Sequence, residues 1–151
     1  MVVIQRQIDE TDRRLLDELQ DDARRSHAEL GRRVGLSPPA VTERVRRLTD
    51  EGVIRGFHAD VDPRALGYDL SVIIRIRPSP RQLHKVADLA RATPEVVECH
   101  RITGDDCYFM KAHVRDVAHL EELIDLFTPF GQTTTSIVHS APVPRRALPL
   151  Q

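Results

Sequence analysis

One stretch limits the folding of this chain more than any other: Val34 to Ile54, VGLSPPAVTERVRRLTDEGVI. Gly35 suits the left-handed turn that ends a helix. Ser37 is a good N-cap, and prolines are tolerated in a first turn, where N–H groups have no intrahelical acceptor. The run therefore starts a helix sharply. Because a proline disfavours helical angles in the residue before it, Pro39 is expected to be the first helical residue. Val41, Val45 and Leu48, spaced by four and three, form an inward stripe. At about 100° per residue, Glu43, Arg46, Arg47 and Asp50 fall on the opposite side, with Thr42 and Arg44 on the flanks.

Two helices are expected upstream. Asp9 or Thr11 caps the first, DRRLLDELQDD, with Leu15, Leu16 and Leu19 as its apolar stripe. In SHAELGRRVG, Ser26 followed three residues later by Glu29 is a capping box, with Ala28, Leu30 and Val34 as the apolar set. Three short helices with a Gly-containing turn are the layout of a helix-turn-helix, whose last helix enters the major groove N-terminus first. On that layout Ser37, Pro39 and Ala40 let the backbone come close to DNA, and the helix N-terminus offers partial positive charge to phosphate. Arg46 and Arg47 then reach bases or phosphates, Thr42 and Arg44 the flanking backbone, and Glu43 shares the outward face. Arg55 and His58 reach phosphates from the segment that follows.

Charge has to be read locally. The 151-residue chain has a net charge of -1, and residues 1–58 hold eleven arginines and eleven acids. An isolated RVRR is ordinarily a solvated helix face. The acids, however, concentrate in the first helix, which crosses the DNA backbone instead of entering the groove. The caps, the turn and the restart, in that order, carry the DNA-binding reading.

Beyond Gly52, VIRGFHADVD alternates loosely as a strand or bent ribbon, and PRALGYD is a Pro- and Gly-marked connection. Then come strand LSVIIRIR, a helix from about Pro80 to Ala92, strand VVECHRI, turn TGDD and strand CYFMKAHV. A helix capped by Asp116 and strand TTTSIVHS follow. That order is βαββαβ, the ferredoxin-like arrangement, so the fold class is α+β. Helices on one face of such a sheet leave the other needing cover, and a partner sheet is a reasonable one. The tail APVPRRALPLQ reads as extended.

No apolar run approaches the roughly 20 residues of a membrane span, and MVVIQRQIDE lacks a signal-peptide core, so a cytoplasmic protein is expected. Cys99 and Cys107 are too few for a disulfide scaffold and read as reduced thiols. There is no His-x-x-x-His, Cys-x-x-Cys, Gly-x-Ser-x-Gly or phosphate-loop pattern, which leaves no catalytic or metal site and no cofactor to propose.

Ile8-Asp9, LSPPAVTERVRRLTDEGVI, DPRALG, TGDDCY and the Thr/Ser-rich last strand occur in the order of the leucine-responsive/asparagine-regulator (Lrp/AsnC) family, and the chain resembles that family over almost its whole length. The resemblance implies a winged helix-turn-helix joined by a strand-bearing linker to a ferredoxin-like effector domain. On it, residues 1–53 are the DNA-binding domain, 54–68 the linker, 69–141 the effector-binding and oligomerisation domain, and 142–151 a proline-rich tail. It also implies homodimers that assemble to octamers. Two readers on one two-fold body recognise half-sites about one helical turn, 34 to 36 Å, apart or multiples of it.

From the residues alone, TGDD is a favoured hairpin turn and a Thr run a favoured strand. The resemblance implies more: an amino acid or related metabolite as small-molecule effector, bound by Thr103, Gly104, Asp105, Asp106 and Cys107 with Thr134, Thr135 and Ser136. N–H and hydroxyl groups would meet its carboxylate and an Asp its ammonium. The family pattern has an Asp directly before the Tyr, where this chain has Cys107, and Asp106 would point to the other face of a regular strand. The expected function is a sequence-specific transcriptional regulator bound to a double-stranded DNA operator. A ligand-independent DNA-compacting protein is the alternative, and a small ferredoxin-like enzyme a third reading.

Overall fold

The computed structural model describes residues 8–150. The start of the expected DNA-binding domain, residues 1–7, and Gln151 lie outside the described residues. The chain divides into two compact units, one of residues through Ala59 together with Val143 onward, the other Asp60–Pro142.

The first unit holds α1 (Glu10–Asp21), α2 (His27–Val34) and α3 (Pro38–Asp50). Asp9 caps α1 through a reciprocal capping box: Asp12 N–H donates to the Asp9 carboxylate at 2.7 Å, and Asp9 N–H to the Asp12 carboxylate at 3.2 Å. Ser26 caps α2, accepting from Glu29 N–H at 3.2 Å. The expected box is only half made there, because the Glu29 carboxylate turns to Arg25 and Arg33 instead. Gly35 ends α2 in the left-handed region, at φ 75°. Pro38, not Pro39, is the first helical residue of α3; proline's own φ suits that position, and the bias from Pro39 is overridden.

Leu15, Leu16, Leu19, Leu30, Val34, Val41, Leu48 and Ile54 form the core of this unit. The turn between α2 and α3 closes because Gly31 has no side chain: a Cβ there would lie inside contact distance of the Leu36 carbonyl oxygen. Residues 55–62 form neither a strand nor a wing among the described residues, and a 3-10 turn, Pro63–Leu66, follows. A strand needs a ladder partner, and the described residues of this unit include no strand to supply one.

The second unit is a four-stranded antiparallel sheet in the order β2-β3-β1-β4, where β1 is Leu70–Pro78, β2 Val96–Arg101, β3 Tyr108–Val114 and β4 Gly131–Ile137. Helices α4 (Leu83–Ala92) and α5 (Val117–Phe127) complete the βαββαβ order. Val72, Ile74 and Ile76 alternate inward from β1 and pack with Met110, Val86, Leu123 and Phe127. Helix α4 starts at Leu83 instead of Pro80 because Arg81 takes a positive φ of 66°, outside helical space. Cys99 pairs in register with Met110, so the two thiols do not face each other. No described helix is long and apolar enough to cross a membrane.

Gly31→Ala should destabilise the first unit by about 1–3 kcal/mol, since the backbone oxygen of Leu36 must shift to admit a methyl group. Urea unfolding followed by the circular dichroism of the helices measures it; an unchanged midpoint would reject the close-approach reading of the turn.

Candidate DNA interface and effector site

Ser37, Pro39, Thr42, Glu43 and Arg46 are exposed along α3, Ala40 is half-buried, and Arg55 is exposed beyond the helix. The start of α3 is chemically unusual. Pro38 and Pro39 have no N–H, Ala40 N–H is taken by Ser37 Oγ at 3.4 Å, and Val41 N–H by the Ser37 carbonyl at 3.0 Å. Residues 38–41 thus offer no free main-chain N–H to a phosphate, and the helix end acts through its dipole and the Ser37 N–H. Thr42 Oγ1 donates to the Pro38 carbonyl at 3.0 Å and lies 2.7 Å from His27 Nδ1. His27, at the start of α2, therefore joins this face, although its isolated position in the sequence gave no sign of it.

The three arginines of α3 separate into two classes. Asp12 of α1 is completely buried. Its carboxylate accepts from Arg44 at 2.8 Å and from Arg47 at 2.6 Å, and Arg44 also donates to Asp9 at 2.7 Å. Burial pushes the Asp12 carboxyl up, but the hydrogen bonds from Arg47 and Arg44 outweigh it, so the group stays charged below its usual range. Arg44 likewise holds Asp9 below the usual carboxylate range. Arg47, expected to project with Arg46, is instead drawn back across the helix pair.

Among the described residues Arg46 bonds only to Glu43 and to Asp50, the latter at 2.9 Å, and its side chain is 61% exposed against 36% for Arg47. Exposed pairs of this kind are screened and easily exchanged. Arg46 is the arginine of α3 that can leave its carboxylates for DNA at little cost, whereas Arg44 and Arg47 would leave a buried charge behind.

In the second unit, Ile102 N–H donates to the Cys107 carbonyl at 2.9 Å and closes a loop over Thr103, Gly104, Asp105 and Asp106, with Gly104 at φ 101°. Asp106 meets Arg75 at 3.7 Å and Asp105 meets Arg77 at 3.1 Å, both arginines standing on the helix-free face of β1. Thr134 is the register partner of Arg75, so Asp106, Arg75 and Thr134 come together, and Ser136 lies on the same face opposite Ile73. Two expected residues are not part of this group. Thr135 points to the helix-covered face, where its hydroxyl is buried without a partner among the described residues, and Cys107 packs against the core. Arg75 and Arg77 were missed by sequence reasoning, although the alternation in IIRIR put both on one face.

A profile of the AsnC-type helix-turn-helix domain matches residues 8–49, and one of the Lrp/AsnC ligand binding domain matches residues 71–148. The chain belongs to the Lrp/AsnC family of transcriptional regulators. It is 34% identical over 133 residues to the HTH-type transcriptional regulator LrpC of Bacillus subtilis, covering 88% of this chain and 92% of that one. It is 38% identical over 120 residues to the leucine-responsive regulatory protein of Escherichia coli, covering 78% and 73%. Among solved structures, Bacillus subtilis LrpC superposes with a TM-score of 0.87 at 32% identity, covering 92% of this chain and 99% of that one. A Neisseria meningitidis regulator solved with L-methionine gives 0.87 at 27% identity, covering 95% and 97%. This family membership makes the chain a DNA-binding regulator and not an enzyme, with a βαββαβ ligand-binding domain as its second unit.

The two classes of arginine give opposite expectations. Arg46→Ala removes one cation that can neutralise a phosphate, so it should lower the salt dependence of DNA binding by roughly 0.9 in log–log slope, with the melting temperature unchanged. Arg47→Ala should lower the melting temperature by several degrees and leave the slope as it is. Fluorescence anisotropy across a salt series, with thermal melts, checks both; an equal fall in slope for the two variants would mean that Asp12 does not hold Arg47 back.

Proposed function

We propose that this regulator recognises a specific operator through the exposed face of α3 and senses an amino acid or related metabolite at the TGDD hairpin of its second unit. The observation that carries the first part is the α2–turn–α3 arrangement, with Thr42, Glu43 and Arg46 exposed and Ser37, Pro39 and Ala40 giving a small, close-fitting start. Arg55 supplies a phosphate contact beyond the helix. The second part is supported by the chemistry of the hairpin: Arg75 and Arg77 offer guanidinium groups to a carboxylate, Asp105 and Asp106 offer oxygens to an ammonium, and Thr134 adds a hydroxyl. A zwitterion satisfies both signs at once. The bound L-methionine of the Neisseria meningitidis relative agrees with that class of ligand.

A homodimer, assembling further to an octamer, completes the proposal. The helix-free face of the sheet carries half-buried Ile73 and Phe109 among polar residues, a surface suited to a second copy. The linker segment around residues 55–62 would find its ladder partner in the same second copy. Such a regulator works in the cytoplasm.

Charge balance argues against uniform DNA compaction. Arg44 and Arg47 are paired with carboxylates of the same unit, which lowers the sequence-independent phosphate attraction that coating requires.

Footprinting on genomic DNA at about 0.15 M salt should protect one or a few sites, with half-sites a helical turn apart or multiples of it; uniform protection would favour compaction. In a thermal-shift screen of amino acids and 2-oxo acids, at least one compound should stabilise the protein. The gain is about 2.7 kcal/mol at a hundredfold excess over its Kd. No shift across the set, with DNA binding intact, would remove the effector role.

A further inference from the structure

The C-terminal segment that follows the effector unit belongs structurally to the DNA-binding unit. Gln20 of α1 grips the main chain of Leu148 at both of its polar groups: Nε2 donates to the Leu148 carbonyl at 3.1 Å, and Leu148 N–H donates to Oε1 at 2.8 Å. A side-chain amide used in this way copies the two hydrogen bonds of a neighbouring strand and selects one position along the segment. Two residues later Leu150 packs against the three-helix core, beside the cluster that includes Leu19 and Leu48. Leu148 is 73% exposed, so recognition there rests on its backbone hydrogen bonds.

The surrounding sequence suits such docking. Pro142, Pro144 and Pro149 restrict the free segment to extended shapes, which lowers the ordering entropy lost when it binds. Pro149 has no N–H to be left unsatisfied between the gripped Leu148 and the packed Leu150.

We propose that residues 143–150 act as a releasable strap, a second connection between the effector unit and the DNA-binding unit. The chain passes from the first unit to the second at residues 59–60 and returns at 142–143. With the strap docked, the DNA-binding unit is held at two points; with it undocked, it hangs on the linker alone. Only five residues separate the end of β4 at Ile137 from Val143, so the strap is a short covalent route from the strand carrying Thr134 and Ser136 to helix α1. Two hydrogen bonds and one leucine are a modest attachment, weak enough to open and close. In a dimer, a docked strap narrows the range of separations available to the two reader helices, and so sharpens the preference for one half-site spacing.

Hydrogen exchange read by mass spectrometry on the full-length protein tests the attachment. In peptides covering residues 143–150, the Leu148 amide should exchange at least tenfold more slowly than in the same sequence as a free peptide. Gln20→Ala and Leu150→Ala should each abolish that protection and leave β1 and β3 unchanged. Exchange at the free-peptide rate in the wild type, or protection that survives both substitutions, overturns the strap.

The consequence is tested with a set of operators whose half-site spacing varies by one base pair at a time. Gln20→Ala, and a chain ending at Pro142, should lose at least threefold of the wild-type discrimination between best and worst spacing; full retention in both overturns the second-connection role. This arm rests on the dimeric operator reading. A wild type indifferent to spacing would overturn that reading, and the exchange result would still judge the strap.

Discussion

A single buried carboxylate organises the DNA-binding unit. Asp12 caps nothing alone, yet it closes the capping box of α1 with Asp9 and accepts from two arginines that start on α3. Taking such a group out of water is unfavourable unless it is paired and hydrogen-bonded, and here both oxygens accept, Oδ1 from Arg44 and Oδ2 from Arg47 and the Asp9 N–H. The result is a polar tie between the first and third helices, beside the leucine core that an otherwise small unit must rely on. Its side effect is electrostatic: Arg44 and Arg47 are committed to protein, and α3 faces outward with Thr42, Glu43 and a loosely paired Arg46. A regulator that must ignore most of a genome gains from weak sequence-independent attraction, because specificity is a ratio of affinities.

The second unit divides its polar chemistry in a similar way. Asp105 and Asp106 each stand within ion-pair distance of an arginine of β1, the Asp105 pair in open solvent. In the proposed effector role, a zwitterionic ligand exchanges for these internal pairs with little change in net charge, whereas a plain anion or cation would leave one partner of each pair unmatched. Cys107, where the family pattern has an acid, packs against the core, and Asp106 stands instead beside Arg75 on the helix-free face.

Local chemistry was legible in the chain, and long-range pairing was not. Ser37, Gly35 and the double proline announced the turn and the start of α3 because caps act within a few residues. The alternation of Val72, Ile74 and Ile76 gave β1, and the strand and helix order gave the ferredoxin-like arrangement. A helical wheel gives the direction of a Cβ, however, not the reach of a guanidinium, and a sequence separation of 35 hides the bond between Asp12 and Arg47 from any pattern. The same holds for Arg75 and Asp106. The half-made box at Ser26 failed for a related reason: Glu29 had two arginines within reach, Arg25 and Arg33, and charge won over a main-chain donor. The expected wing strand needs a partner, and the described residues of the first unit supply none.

A double-mutant cycle on Asp12 and Arg44, followed by urea unfolding, tests most directly whether that tie holds α1 to the reader helix. Asp12→Asn keeps the shape and removes the charge, and Arg44→Gln removes the guanidinium. A favourable coupling of roughly 0.5–3 kcal/mol, with an unchanged denaturant slope, is predicted. Additivity within about 0.3 kcal/mol would contradict it and return Asp12 to an ordinary helix-capping role.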